Sequence, residues 1–376
     1  MSLNRLKDYF VETVLPVWAE TAFDADAGQF MEGLQTDGSA DPSGVVRTRT
    51  AAREIYVFAQ ASALGVAPEG ALDKAERAFA NLRATAWIGG EKPGFARTIN
   101  YKTGTIVDPE RDLYDTACVL LALAWLAEAT GKPAYGDQIE ELIAAMDITF
   151  AAPHGGWAED SASSIPRRQN PHMHCLESFL ALWETDADPA HVARAGELYG
   201  LFRARFFHDP TDTLREYFGP AWEMSDAHGS GRIEPGHMAE WVWLVGRYAQ
   251  FTGMDLSALT GRILQATVKL GIDAGTPFLV DETSLDGIPA KQSRRLWPQA
   301  ELIKAYITQA RATGEESYLD KADAVAAALF ETYLAETAAG TWRDCFDLAG
   351  RSIATSIPAS SLYHLWTAVA ELLPSD

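Results

Sequence analysis

A period of about sixty residues runs through this 376-residue chain and limits the folds open to it. Six polar and aromatic clusters recur at separations of 61, 60, 63, 60 and 67 residues, centred on Arg53, Tyr114, His174, His237, Trp297 and His364. Each cluster opens an apolar segment with helical periodicity. A period of this length is typical of repeat architectures, in which helical hairpins bury their apolar faces against neighbouring hairpins.

The apolar periodicity predicts twelve helices, near residues 3–22, 48–65, 70–89, 111–131, 134–149, 171–185, 189–207, 234–254, 257–274, 294–313, 317–335 and 360–373. Short links such as TGKP follow the even-numbered helices, whereas long links, some with hairpin patterns such as NYKTGTI, follow the odd-numbered ones. The even-numbered segments YDTACVLLALAWLA and MAEWVWLVGRYA are apolar almost all round, which favours an inner position.

These patterns predict an all-α fold, an (α/α)6 barrel of six helical hairpins, with short β-hairpins in the long loops at one mouth. Residues 1–376 would form a single catalytic domain. A helical solenoid or scaffold is the alternative. We favour the closed ring because His, Arg, Trp and Glu concentrate at one end of alternate helices, as expected of ionisable groups that converge in a concave site.

The chain carries 31 basic and 52 acidic residues, a net charge of −21, which would repel phosphate backbones and anionic membrane surfaces. We therefore expect neither nucleic acid nor a membrane as partner. There is no apolar run of about 18 residues and no signal-peptide pattern at the N-terminus. Three cysteines without CxxC spacing suit a reducing compartment, so we expect a cytoplasmic location.

Histidine placement indicates proton-transfer chemistry. Three of the eight histidines, His174, His237 and His364, occupy equivalent positions of the period, and imidazole exchanges protons near neutral pH. Glu177 follows His174 by three residues, and Glu240 follows His237 by three. Residues at i and i+3 share a helix face, so each carboxylate could orient its ring and raise its basicity.

The other polar and aromatic residues of the clusters suit a sugar. Arg53, Glu234, Gln299 and Glu301 are candidate binders of hydroxyl groups, and Trp157, Trp222, Trp297 and Trp342 could stack on a sugar ring. No metal is expected, because His172 and His174 are two positions apart on a helix and no HExxH or Cys/His ligand run occurs. No cofactor is expected either, since GxGxxG after a strand, a P-loop and a GxSxG elbow are absent.

Several blocks of the sequence resemble the N-acylglucosamine 2-epimerase family, which includes mannose isomerase, sulfoquinovose isomerase and cellobiose 2-epimerase. These blocks are AREIYVFAQA, RDLYDTACVLLALA, RRQNPHMHCLESFLAL, EPGHMAEWVWLV and RLWPQAELIKA, of which EPGH and NPHMH are the most specific. The resemblance runs from Arg53 to His364 and implies an (α/α)6 barrel. The chain departs from the family pattern at Ala51, where many members carry Gln, and this puts one substrate contact in question.

The resemblance implies that His237 and His364 are the acid/base pair and that Glu240 assists His237. It places Arg53, Tyr114, His174 and Trp297 at the substrate site, where we also expect Glu177, Glu234 and Glu301. The reaction expected is isomerisation of a mannose-type hexose to fructose through a cis-enediol, without metal or cofactor, and the chain could form a homodimer. The alternatives are 2-epimerisation of an N-acylglucosamine or a disaccharide, glycoside hydrolysis or lysis on the same fold, and sugar binding without catalysis.

Overall fold

The computed structural model describes residues 1–374 and is mostly helical. Its helices are α1 (Ser2–Tyr9), α2 (Leu15–Thr21), α3 (Thr48–Ala63), α4 (Ala71–Ala86), α5 (Leu113–Thr130), α6 (Pro133–Thr149), α7 (Gln169–Asp186), α8 (Pro189–Leu201), α9 (Pro235–Thr252), α10 (Ser257–Gly271), α11 (Trp297–Thr313), α12 (Ser317–Glu331) and α13 (Ala359–Ala370). A π-helical turn, Phe10–Val14, joins α1 to α2, and another, Phe202–Phe206, extends α8. All twelve predicted helices are therefore present, with ends that differ by a few residues.

Six helices make an inner set whose contacts run in a cycle. In chain order α3, α5, α7, α9, α11 and α13 each pack against the next, and α13 packs against α3. The second helix of each hairpin lies outside: α4 packs on α3, α6 on α5, α8 on α7, α10 on α9 and α12 on α11. The inner set corresponds to the even-numbered helices of the prediction.

Burial explains why the sequence divides its helices in this way. In α5 every residue from Asp115 to Leu126 is buried, because other helices cover it on all sides. In α4 the buried residues are spaced three to four apart, as in Ala71, Ala75, Ala78 and Leu82, so one stripe packs inward. The core thus lies between and within the two layers of helices.

Helix α5 is the one helix among residues 1–374 that is long and apolar enough to cross a membrane. Its most apolar window is 72% buried inside the protein, against α3 and α7. Helix α5 is highly apolar because neighbouring helices bury most of its surface.

The strands are short and lie in the long loops: β1 (Phe23–Asp24), β2 (Gln29–Phe30), β3 (Gly33–Leu34), β4 (Val45–Arg47), β5 (Trp87–Ile88), β6 (Gly94–Asn100), β7 (Thr105–Arg111), β8 (Arg167–Arg168), β9 (Phe207–His208), β10 (Thr213–Leu214), β11 (Tyr217–Phe218), β12 (Ser293–Arg295), β13 (Cys345–Asp347) and β14 (Ile357–Pro358). All their pairings are antiparallel. Strands β6 and β7 form the hairpin predicted at NYKTGTI, with Asn100 opposite Thr105. Strand β14 pairs with β3 and so ties the last long loop to the first.

Candidate active site

The six clusters converge on a cavity of about 240 Å³ at the N-terminal ends of the inner helices. Eight of the expected site residues line it: Arg53, Tyr114, His174, Glu234, His237, Glu240, Trp297 and His364. A larger cavity of about 660 Å³, lined by the second halves of α9 and α11, contains no histidine, and both of its arginines are paired, Arg247 with Glu184 and Arg311 with Glu371. The chemistry-bearing groups are therefore concentrated in the smaller cavity.

His237 lies in the first turn of α9 and is 7% exposed. Its Nδ1 lies 2.9 Å from Glu216 Oε2 and 3.6 Å from Glu234 Oε2. Burial opposes the charged form, but the two carboxylates outweigh it and raise the pKa of His237 to about 9. The His237 side chain is therefore an imidazolium at neutral pH, and both ring nitrogens carry a proton.

The Nε2 atom of His237 lies 2.9 Å from the Asn170 amide nitrogen. Asn170 Oδ1 is buried and has no hydrogen-bond partner among the described residues. Turning the amide over would let this oxygen accept the Nε2–H of the imidazolium. The contact with Asn170 shows that the Nε2–H of His237 points toward the cavity, where this proton can be transferred to a ligand.

Gly236 leaves the space in which the Trp297 ring packs against the two histidines. A Cβ atom at Gly236 would lie 2.5 Å from the Trp297 ring, too close for any side chain. With glycine there, Trp297 packs between His237 and His364, with ring centroids 5.3 Å and 5.1 Å away. The indole therefore fixes the spacing of the two imidazoles and covers one wall of the cavity.

His364 lies in the first two turns of α13 and is 6% exposed. Its Nδ1 lies 2.6 Å from Glu301 Oε1, so Nε2 is the nitrogen left for a ligand in the cavity. Burial, reinforced by the positive charges of Arg53 and Lys304, holds the pKa of His364 well below its usual range. At neutral pH this imidazole is a neutral base.

Arg53, Tyr114 and His174 form a contiguous wall. Arg53 Nη2 donates to Tyr114 Oη at 2.7 Å and lies 3.3 Å from His174 Nε2, and the Tyr114 ring stacks on the His174 ring at 4.5 Å. His174 Nδ1 is held by Glu177 Oε2 at 2.9 Å. Arg53 Nε is buried without a partner among the described residues, which leaves the guanidinium a free donor.

Three carboxylates of the expected site need separate description. Glu177 and Glu301, both expected at the substrate, lie behind the cavity lining. Glu177 holds His174, as its three-residue spacing predicts, and Glu301 holds His364. Glu240 adds to the negative charge that raises the pKa of His237, as the prediction that it assists His237 requires, but the carboxylate bonded to His237 Nδ1 belongs to Glu216. Glu240 instead lies 3.9 Å from His174 Nδ1, although it does line the cavity.

Among the aromatic candidates, Trp297 lines the cavity and the other three lie outside its lining. Trp342 is buried in a stack on Trp18, and Trp222 is buried beside Phe206. Trp157 packs near His172. The polar candidate Gln299 is also buried elsewhere, where it bonds the backbone of Leu279.

Two residues that contact His237 are not among those predicted from the sequence. Glu216 lies 21 residues before His237, in the loop that precedes α9, and no local spacing rule connects the two. Asn170 stands in the NPHMH block, so its motif was noticed but its contact with His237 was not.

Three groups of His and Glu bring their potential ligand atoms within 4.8 Å of one another: His174 with Glu177 and Glu240, His237 with Glu216 and Glu234, and His364 with Glu240 and Glu301. In each group the shortest contact joins an imidazole Nδ1 to one carboxylate. Positive charges already face these carboxylates, the His237 imidazolium in one group and Lys304 in another. We therefore interpret the groups as hydrogen-bonded pairs that orient histidines.

Comparison with known proteins gives a consistent result. Residues 28–368 match the family model for N-acylglucosamine 2-epimerase. The chain is 30% identical to a mannose-6-phosphate isomerase of Rhizobium meliloti (strain 1021), over 99% of this chain and 97% of the relative. It is 28% identical to a D-mannose isomerase of Thermobifida fusca, over 91% and 88%. The fold matches cellobiose 2-epimerase from Spirochaeta thermophila DSM 6192 with a TM-score of 0.85 and 23% identity, over 98% and 95%.

Proposed function

Because this chain belongs to the N-acylglucosamine 2-epimerase family, a family of sugar isomerases and epimerases, we propose that it interconverts an aldose and a ketose of the mannose type. The proposed scaffold is an (α/α)6 barrel, supported by the cyclic contacts of the inner helices. The proposed chemistry is proton transfer through a cis-enediol by His237 and His364.

The observation that carries the proposal is that two histidines with different charged neighbours line one cavity: two carboxylates face His237, whereas the carboxylate that holds His364 faces Lys304. Both line one cavity and touch Trp297, yet His237 has a pKa raised to about 9 while that of His364 is well below its usual range. A pair of groups whose environments separate their pKa values is suited to opposite acid and base roles. His364 is the base, and His237 is the acid.

The proposed steps balance without any other reactant. His364 Nε2 removes the proton from C2 of the open-chain aldose, the C–H electrons form the C1–C2 double bond, and O1 receives a proton from His237. The cis-enediol collapses when His364 returns its proton to C1, the O2 proton passes to His237, and a carbonyl forms at C2. Both histidines then recover their starting states, and the positive charge of Arg53, which lines the cavity, can stabilise the charge on oxygen in between.

Epimerisation at C2 is the second candidate, because two imidazoles flank one cavity. In this reaction His364 removes the C2 proton to give an enediolate, and His237 keeps its proton until it delivers it to the opposite face of C2. The C1 carbonyl reforms, the product is the epimeric aldose, and His364 then loses its proton to solvent while His237 regains one. The two reactions use the same residues and differ in which atom receives the proton.

Glycoside hydrolysis is less well supported. It requires two carboxyl groups on either side of the bond to be cleaved, about 5–9 Å apart. The carboxylates that line this cavity are Glu216, Glu234 and Glu240, and the first two are committed to His237. The histidines are the groups free to exchange protons with a ligand.

The substrate can be tested directly. Purified protein is incubated separately with mannose, mannose 6-phosphate, N-acetylmannosamine and cellobiose, and the sugars are separated and quantified. The proposal expects fructose from mannose, or its phosphate from mannose 6-phosphate. The arginines that line the mouth, such as Arg168 and Arg295, are paired with Glu159 and Asp281, which favours the uncharged sugar. N-acetylglucosamine or the epimeric disaccharide as the main product would overturn the isomerase assignment.

A further inference from the structure

Lys304 is a buried charged residue that the proposed reaction does not use. It lies in α11, is 0% exposed, and its Nζ lies 2.8 Å from Glu301 Oε2. The contact is off the line of a hydrogen bond, so it is chiefly an attraction between charges. The ammonium also lies 3.6 Å from the centroid of the Trp243 ring. Burying an ammonium group costs free energy, so we looked for a function of Lys304 that would offset this cost.

The three histidine–carboxylate pairs of the site provide an internal comparison. Glu216, which holds His237, also accepts a hydrogen bond from the neutral amide of Gln169 at 2.9 Å. Glu177, which holds His174, also accepts one from the neutral hydroxyl of Tyr363 at 2.5 Å. Glu301, which holds His364, instead faces a cation. The three pairs are alike at Nδ1, and a lysine contacts the carboxylate in the His364 pair. In the His174 pair burial is the largest cause that lowers the pKa of the imidazole, so the comparison that bears on Lys304 is the one between His364 and His237.

A carboxylate stabilises an imidazolium by its negative charge. Where a lysine neutralises that charge, the carboxylate still orients the ring but no longer favours its protonation. We propose that Lys304 is a positioning residue that neutralises Glu301 and so keeps His364 unprotonated in the resting enzyme. The inference deepens the proposed function and rests on it, because it explains how two similar histidines take opposite roles.

Several titratable groups surround His364 and Glu301 and together determine whether His364 is protonated. They come from every neighbouring inner helix: Arg53 on α3, His174 and Glu177 on α7, His237 and Glu240 on α9, Glu301 and Lys304 on α11, and Tyr363 on α13 itself. Arg53 acts in the same direction as Lys304, and burial acts with both. Lys304 differs from the other groups because it contacts Glu301, the carboxylate that is hydrogen-bonded to His364.

The test compares the wild-type protein with Lys304→Met, which removes the charge and keeps an unbranched apolar chain. The titration of His364 is followed by NMR in protein labelled at histidine Cε1, without substrate, and its resonance is assigned with a His364→Gln variant. We expect Lys304→Met to raise the pH of His364 protonation by about one unit or more. The acid limb of the kcat/KM profile should move upward in parallel.

The matched control is Lys321→Met, the same change at an exposed position on the outer helix α12. It should leave the His364 titration and the pH profile unchanged. A folded Lys304→Met variant whose His364 titration is unmoved would overturn the inference, even if its stability falls, since a merely structural lysine would behave in this way.

If Lys304→Met does not fold, the inference is tested by the NMR titration of His364 in the wild-type protein. The inference requires His364 to be neutral in wild-type protein at pH 6, and an imidazolium signal there overturns it. Because the NMR titration needs no substrate, its outcome is separate from that of the sugar assay. A shifted titration with no turnover of any sugar would refute the proposed function and leave the role of Lys304 standing.

Discussion

Replacing Glu216 with glutamine should move the alkaline limit of activity to lower pH. Glu216 Oε2 lies 2.9 Å from His237 Nδ1, and the Glu216 carboxylate favours the imidazolium more strongly than any other neighbouring charge does. Glutamine keeps the size of the side chain and an oxygen that can accept the Nδ1–H. The substitution therefore removes a charge with little change of shape.

The size of the effect follows from the pKa of His237. It stands at about 9 in this structure against an ordinary value of 6.5, and that difference corresponds to about 3 kcal/mol in favour of the imidazolium. Without the Glu216 charge, burial is opposed mainly by Glu234 at 3.6 Å, so we expect a pKa at or below about 6.5. The protonated fraction at pH 8 would then fall from about nine-tenths to about 3%, roughly a thirtyfold loss.

The assay is kcat/KM for the isomerisation between pH 5.5 and 10. Because His237 acts as the acid, activity is lost as the pH rises through its pKa. We expect the alkaline limb of Glu216→Gln to fall by about 2.5 units or more, and a pKa of about 6.5 would reduce activity at pH 6 by less than about twofold from this cause. Glu234→Gln should give a smaller shift, and Glu141→Gln, in the outer helix α6, none. An alkaline limb that stays near pH 9 in Glu216→Gln would refute the assignment of His237 as the acid.

Four other perturbations probe the same site. His237→Ala and His364→Ala should each stay folded by circular dichroism and lose about a hundredfold or more in turnover, the usual scale for an acid/base group, and near-normal turnover in either would remove that residue from the mechanism. Gly236→Ala should force Trp297 aside, because the added Cβ would lie 2.5 Å from its ring, so we expect lower turnover and a loss of about 1–3 kcal/mol in unfolding free energy, measured by denaturant titration. Exhaustive treatment with EDTA should leave activity unchanged, and loss of activity restored by a divalent cation would contradict the metal-free proposal.

The cyclic arrangement of helices could be predicted because it depends on local patterns. A period near sixty residues and helices that are apolar all round, such as α5, appear in the sequence without knowledge of contacts. The same period placed His174, His237 and His364 at one level, and the structure brings all three to one cavity. The cytoplasmic location and the homodimer stay predictions.

The partners of the histidines could not be predicted, because they depend on the tertiary fold. Side chains lean toward the N-terminus of their helix, so the ring of His237, in the first turn of α9, points back to the loop that holds Glu216. Glu240, nearly one turn further along, lies near His174 on the neighbouring inner helix α7. The spacing rule of three residues succeeded for His174 and Glu177, where no loop carboxylate competes at Nδ1.

The proposed proton transfer can be followed atom by atom in the reaction of mannose in D2O, monitored by ¹H and ²H NMR. If His364 transfers a proton from C2 to C1 with exchange into solvent, deuterium should appear at C1 of the fructose, and fructose should be the main product. Fructose with no deuterium at C1 at any stage would contradict an exchanging acid/base mechanism. Aldose labelled at C2 as the main product, with fructose remaining a trace, would contradict isomerisation and assign the site to 2-epimerisation.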